Sequence, residues 1–278
     1  MEAQKKIAVI NDFCGFGRCS LSVALPIISA MGIQCCPLPT SIFSNHTGYE
    51  SFYYTDFTCH MRSYAAQWEK LGLEFDGILT GFLGSEEQID LVCDFMKGFK
   101  KPKTLTLVDP VMGDNGALYA TYSPRLAQRM GELLQYADIL TPNFTEACIL
   151  TGRDYVPDPS EGLLTDICKE LRDKGPKEIV ISGLERGEDL ENFIFSQDGS
   201  YQVIREHKTG PCRAGTGDVF ASLLGAQAVQ GAELAPAVRN ASAFIAKALR
   251  RTMERDVPEP DGICFEEFLQ DLSSLPRG

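Results

Sequence analysis

Short apolar, β-branched runs alternate with segments of helical spacing along most of the chain, and this alternation restricts the fold more than any other feature. Ile7-Ala8-Val9-Ile10, Ile33 to Leu38, Gly77-Ile78-Leu79-Thr80, Leu105-Thr106-Leu107-Val108, Ile139-Leu140-Thr141 and Glu178-Ile179-Val180-Ile181-Ser182 read as strands. Between them, Leu21 to Met31, Asp56 to Leu73, Glu86 to Phe99, Pro124 to Gln135 and Gly162 to Asp173 carry helical spacing, with Pro26 an irregularity in the first. Such repetition builds a mostly parallel sheet with helices on both faces, so the expected fold is a three-layer α/β/α arrangement. Asn192 to Ser196 and Tyr201 to Glu206, joined by Gln197-Asp198-Gly199-Ser200, read instead as an antiparallel hairpin. Helices dominate the remainder: Thr216 to Gln230, Ala235 to Met253 with Pro236 in its first turn, and Phe265 to Leu272. No repeat, low-complexity tract or linker divides the sequence, and residues 1–278 are expected to form a single domain.

Composition removes several functional classes. With 44% hydrophobic and 23% charged residues, the chain has enough apolar side chains for an ordered core. A net charge of -12 and the lack of a dense Lys/Arg cluster argue against tracking a nucleic-acid backbone. Lys100-Lys101-Lys103 and Arg250-Arg251 read as solvated surface. Met1 to Lys6 is charged and leads into the first strand without a signal-peptide core. No apolar run approaches the roughly 20 residues of a membrane span, so a cytoplasmic location is expected and no membrane partner. The ten cysteines contain no C-x-x-C pair, and only His46, His60 and His207 could assist them at a metal. They read as free thiols in a reducing compartment.

In a sheet of this kind ligands gather beyond the carboxyl ends of the strands. That directs attention to Asn11-Asp12, Thr40, Asp109, Thr141 with Asn143, and Ser182. A separate signal is Gly215-Thr216-Gly217-Asp218, immediately before an apolar helical run. First-turn amides of a helix lack internal partners, and with the positive end of the helix dipole they form an anion site. Glycines let a phosphate approach the backbone, and Asp218 would place a carboxylate beside it. The same tetrapeptide also reads as a plain helix start capped by Thr216 or Asp218.

Asp109-Pro110-Val111-Met112-Gly113-Asp114 sets two carboxylates around a turn, oxygen ligands that suit Mg²⁺, although turn chemistry alone accounts for the composition. Thr141-Pro142-Asn143-Phe144-Thr145-Glu146 reads as a helix cap with Asn143 and Glu146 as a capping box, or as neighbours of a metal-bound triphosphate. His46 reads as a hydrogen-bonded structural histidine, since no nucleophile pairs with it. Gly210 and Gly215 have Walker-A spacing, but Thr216-Gly217 replaces the required Lys-Ser/Thr. Gly15-Phe16-Gly17 lacks the third glycine of a dinucleotide fingerprint, because Ser20 stands there.

Taken together, from about Ile7 to about Arg251, the chain resembles the pyridoxal kinases, the vitamin B6 kinases of the ribokinase-like superfamily. The resemblance rests on Phe43-Ser44-Asn45-His46-Thr47-Gly48-Tyr49, Leu79-Thr80-Gly81-Phe82-Leu83-Gly84-Ser85, Asp109 to Asp114, Thr141-Pro142-Asn143 with Glu146, and Gly215 to Asp218. It implies phosphorylation of pyridoxal, pyridoxamine or pyridoxine by ATP with Mg²⁺, in a homodimer, and raises a monovalent cation as a further requirement. Asp218 would then be the general base, with Gly215, Thr216 and Gly217 as the anion hole. Asp109, Asp114 and Glu146 would form the metal and triphosphate neighbourhood, with Thr141, Asn143 and Ser182 on the nucleotide side. Thr47, Phe82 and Tyr119 would line the pyridine side. The family usually has a serine after the first strand that touches the ring, often followed by histidine. Here Asn11-Asp12-Phe13 stands there, and Asn11 and Asp12 are expected as the substrate contacts. A hydroxymethylpyrimidine or other small-alcohol kinase is the alternative enzyme, and a non-catalytic vitamin- or nucleotide-binding protein is the alternative of another class.

Overall fold

The structure is a computed structural model and describes residues 3–275. Met1, Glu2 and residues 276–278, the ends of the expected single domain, lie outside the described residues. The first half runs β1 (Lys6–Phe16), α1 (Ser20–Ala30), β2 (Gln34–Asn45), β3 (Tyr54–Asp56), α2 (Thr58–Lys70), β4 (Gly77–Thr80), α3 (Glu86–Phe99) and β5 (Leu105–Val108). A two-stranded ribbon follows, β6 (Gly113–Asp114) and β7 (Ala117–Leu118), then α4 (Pro124–Met130), a 3-10 helix (Gly131–Tyr136), β8 (Ile139–Leu140), α5 (Phe144–Thr151) and α6 (Glu161–Arg172). The rest is β9 (Glu178–Arg186), β10 (Asp189–Phe195), β11 (Tyr201–His207), α7 (Thr216–Val229), α8 (Leu234–Glu254), two short 3-10 turns and α9 (Leu269–Leu272).

Among the described residues the main sheet has nine strands in the order β11-β10-β9-β8-β5-β4-β1-β2-β3. The six from β9 to β2 run parallel; β3 at one edge and β10 at the other run against them, and β11 pairs antiparallel with β10. The period of two along β1 divides the core. Ala8 and Ile10 face the layer of α2 to α6, and Ile7 and Val9 face the layer of α1, α7 and α8. This is the expected three-layer, ribokinase-like architecture.

Capping and turn chemistry fix many boundaries. Ser85 accepts from the Gln88 amide at the start of α3, with Glu86 and Glu87 in its first turn and Lys97 in its last. Ser123 accepts from Leu126 ahead of Pro124 at the start of α4. The helix expected over Pro124 to Gln135 instead changes at Gly131 into a 3-10 turn, at the residue with the weakest preference for continuing it. The helix expected over Phe265 to Leu272 likewise divides into a 3-10 turn and α9. β1 and β2 run past their expected ends because their pairing resumes beyond a bulge between Asn11 and Phe13. β3 and the β6–β7 ribbon, two or three residues per strand, are too short to leave a periodic signal.

All ten cysteines are unpaired. No helix of the described residues is long and apolar enough to cross a membrane. At the antiparallel edge Phe193 is fully buried and stacks on Tyr201 with centroids 4.9 Å apart. Phe193→Ala is expected to cost about 3–5 kcal/mol of stability, read as a lowered midpoint in chemical denaturation.

Candidate active site

The carboxyl ends of β1, β4, β5, β8 and β9 face the amino terminus of α7, and the sequence-predicted residues of five separate segments meet there. Gly215 precedes α7 in the left-handed conformation, φ +76°. A side chain there would drive its Cβ into the carbonyl oxygen of Arg18, so only glycine allows this approach. No side chain caps the helix. Thr216 turns back and donates its hydroxyl to the Arg213 carbonyl, 2.9 Å away. The capped-start reading of Thr216 and Asp218 is therefore not what forms. The first-turn amides of α7 remain without side-chain acceptors, and Gly217 is exposed with open space where a Cβ would stand.

Asp218 sits half-buried in that first turn. Burial pushes its carboxyl above the ordinary range; the Ser20 amide and then the Asn11 side chain act in the opposite direction. Ser20 reaches this position at the start of α1 with φ 55°, unusual for a residue other than glycine. Asn11 donates from Nδ2 to Asp218 Oδ1 over 3.1 Å. Its Oδ1 accepts from the amides of Phe82, 2.8 Å, and Asp12, 2.9 Å.

Asp12 is buried at the end of β1 and accepts from the Cys14 thiol over 3.3 Å. Burial and then the Asp218 charge push its carboxyl up to about 6, against the Ser20 hydroxyl and the Cys14 thiol. Asp12 is thus one of a pair of neighbouring acids, held apart from solvent.

On the other side of Asp218 lie Asp109 and Glu146. Burial, then the charges of Glu146 and Asp218, hold the Asp109 carboxyl well above the usual range. Glu146 is buried among donors: Oε1 accepts from Met112 N and Oε2 from Asn143 N, both 2.9 Å. Asn143 Oδ1 in turn accepts from Glu146 N, completing a capping box at the start of α5, and its Nδ2 donates to the Gly113 carbonyl, 2.8 Å. Glu146 therefore ties the turn after β5 to α5; burial pushes its carboxyl up to about 8, against the backbone amides that favour its ionised form. Thr141 lies beside Asp109 with a buried hydroxyl that has no hydrogen-bond partner. Ser182 bridges to Asn143 from β9. Asp114 is exposed and accepts from Asn115 N over 2.8 Å.

No three His, Cys, Asp or Glu side chains of the described residues converge closely enough to hold an ion alone. Half-buried Asp109 and buried Glu146 nevertheless lie close together with their ionised forms disfavoured, and the unpartnered Thr141 hydroxyl adds an oxygen. Such a donor set suits a hard cation that brings further ligands with it.

On the aromatic side Phe82 packs edge-on against Phe43 and Tyr122, at 6.1 and 5.9 Å. Tyr119 is partly exposed, and its hydroxyl is pushed up by burial and then by Glu146, Asp114 and Asp109. Thr47 is exposed in the turn after β2. The adjoining His46 donates from Nε2 to the Pro260 carbonyl, 2.6 Å, and accepts at Nδ1 from Gly48 N, 3.1 Å, the structural role expected of it. Tyr49 donates to Asp261, 2.8 Å, and Arg18 donates to the Asp261 carbonyl. Residues 258–262 thereby strap the loop after β2 to the Arg18 region. Two neighbours of the site, Ser20 and Cys212 (its sulfur 3.9 Å from the Thr216 hydroxyl), carried no sequence signal because neither belongs to a recognisable motif.

A family profile described as phosphomethylpyrimidine kinase matches residues 25–257. Pyridoxal kinase PdxY of Leifsonia xyli subsp. xyli is 29% identical over 274 residues, 95% of each chain. The crystal structure of a Bacteroides thetaiotaomicron protein assigned to the phosphomethylpyrimidine kinases superposes with a TM-score of 0.95 at 37% identity, covering 99% of this chain and 96% of that one. An orthorhombic form with pyridoxal gives 0.92 at 37% identity, covering 97% and 96%. Pyridoxal kinase from Lactobacillus plantarum gives 0.90 at 28% identity, with 97% of both chains covered.

The Asp12 carboxyl binds its proton more tightly in the folded chain than the ordinary aspartate of the unfolded chain does. Its contribution to stability is therefore present at about pH 4 and is lost as pH rises through about 6. Asp12→Asn is expected to remove that loss, a gain over the parent on the order of 3 kcal/mol at pH 8 that shrinks toward pH 4. Urea unfolding of both proteins at the two pH values checks the sign.

Proposed function

Because the chain belongs to the phosphomethylpyrimidine kinase family, we propose that it phosphorylates the 5′-hydroxymethyl group of a B6 vitamer (pyridoxal, pyridoxamine or pyridoxine) at the expense of ATP. The observation that carries this reading is the uncapped start of α7, with Gly217 facing open space and Asp218 beside it. The relatives described as pyridoxal kinases, and the form of the Bacteroides relative with pyridoxal, support the choice of acceptor.

In this reading Gly215, Thr216 and Gly217 face the transferring phosphoryl group with their amides. The transition state spreads charge over the phosphoryl oxygens, so positioned donors supply most of the stabilisation. The vitamer's hydroxyl oxygen forms the new P–O bond, the bond to ADP breaks, and Asp218 accepts the hydroxyl proton. Asp109, Thr141, Asn143, Glu146 and Ser182 line the nucleotide side. Mg²⁺, entering with the triphosphate, would neutralise phosphate charge near Asp109, Asp114 and Glu146. Thr47, Phe82, Tyr119 and Asp12 border the pyridine ring.

The family description favours a second reading, a hydroxymethylpyrimidine kinase using the same base and anion hole. A dimer through the β3 edge, where Tyr53 and Tyr54 are 72% and 54% exposed, completes the proposal, as does a cytoplasmic location consistent with ten free thiols.

ADP release measured with each vitamer and with hydroxymethylpyrimidine at fixed Mg·ATP tests the assignment. Turnover is expected with a vitamer; activity confined to the pyrimidine would replace the first reading with the second. Asp218→Asn is expected to lower kcat by about 10²-fold or more with ATP still bound. In the same assay Gly217→Ala should leave thermal stability unchanged or slightly raised, because alanine fits the helix, yet lower kcat/KM for ATP by about tenfold or more.

A further inference from the structure

Asn11 was expected to touch the substrate ring, but both ends of its amide are committed to protein. Two backbone N–H groups, those of Phe82 and Asp12, point at its oxygen. An N–H can only donate, so this end must be Oδ1, and Nδ2 is left facing the carboxylate of Asp218. The amide orientation thus follows from the donors around it.

The side chain also has little freedom to leave. A Cβ on Gly81 would fall 2.5 Å from Asn11 Cγ, so the chain after β4 lies directly against the amide and requires glycine to do so. Asn11 further stands at the bulge where the β1–β2 register shifts, the kind of irregularity that re-aims a side chain beside an active site. The carboxyl ends of two adjacent parallel strands therefore hold one amide, and that amide holds the first turn of α7.

We propose that Asn11 is a positioning residue for Asp218, setting the plane of its carboxylate so that one oxygen is occupied and the other is presented to the alcohol. The proposal rests on the reading of Asp218 as the proton acceptor. It predicts that a vitamer's affinity owes little to Asn11, while the chemical step depends on it. The other groups facing Asp218 are Asp12 from β1, Asp109 from the end of β5, His46 from the loop after β2 and the Ser20 amide from α1. Each of them keeps its chemical identity when Asn11 is substituted; the Asp12 amide loses its acceptor in Asn11→Ala but keeps one in Asn11→Asp.

Two variants separate positioning from folding. Asn11→Asp keeps the shape and an acceptor for the Phe82 and Asp12 amides but replaces the donor to Asp218 by a carboxyl oxygen. Asn11→Ala removes both functions. With pyridoxal and Mg·ATP, kcat is expected to fall about 10- to 100-fold in both. KM for pyridoxal should stay within about threefold of the parent value, as for a residue that does not bind substrate. The acidic limb of the kcat profile should move to higher pH in both, further in Asn11→Asp, because an amide that favours the ionised base has been lost. A raised KM with kcat and the limb unchanged would return Asn11 to the substrate and overturn the proposal. The Asp218 carboxyl is also followed by pH titration of selectively ¹³C-labelled aspartate, a readout that needs no turnover. It is expected to titrate at higher pH in each variant; an identical titration in parent and variants overturns the positioning role even if the parent proves to have no kinase activity. Absence of turnover in the parent with a shifted Asp218 titration would instead sink the kinase reading alone.

Discussion

The contact of Gly215 with the Arg18 carbonyl oxygen decides where α7 begins, and the site depends on that start. A helix laid against a parallel sheet can slide along it at modest cost if only apolar side chains oppose the movement. Here a backbone-to-backbone contact, possible only without a Cβ, stops the slide at one residue. The first-turn amides of α7 consequently open toward the strand ends, and Asp218 comes within reach of Asn11. Gly225, whose missing Cβ admits Leu79 of β4, lets the same helix lie close to the sheet further along.

Around this start the cleft collects acids on both flanks. Asp12 lies on the aromatic side, and Asp109 and Glu146 lie on the other. Their mutual repulsion is tolerated because each is treated differently. Glu146 receives backbone amides, Asp12 receives a thiol and a hydroxyl, and Asp109 has only the Thr141 hydroxyl near it. The least satisfied of them is the one nearest an unpartnered hydroxyl. A ligand bearing a hard cation would favour ionisation of these acids, whereas an anion alone would disfavour it further. The helix start and the acid pair therefore ask for different parts of the same ligand.

Most of the fold was legible because buried parallel strands are written as continuous apolar runs. Gly77–Thr80, Leu105–Val108 and Glu86–Phe99 have the bounds their patterns indicate. Legibility failed where pairing outlasts the apolar run, as in β1 beyond Asn11, and where strands shrink to two or three residues. At the site, the glycine motif and the Asn143–Glu146 capping box could be read locally, since each lies within one turn of chain. The partner of Asp218 could not. Asn11 and Asp218 are 207 residues apart, and an asparagine after a strand looks the same whether it faces a ring or a carboxylate. Only the placement of the Phe82 and Asp12 amides separates the two roles.

The strap of residues 258–262 has a consequence for how the molecule comes into being. His46 and Pro260, joined by one hydrogen bond, stand 214 residues apart, and the Tyr49–Asp261 bond spans 212. Closing so wide a loop is slow compared with local helix formation. On the ribosome, the sheet and most of its helices can assemble while the turn after β2 still lacks its fastener. The aromatic mouth of the cleft is thus among the last parts of the nascent chain to acquire its shape.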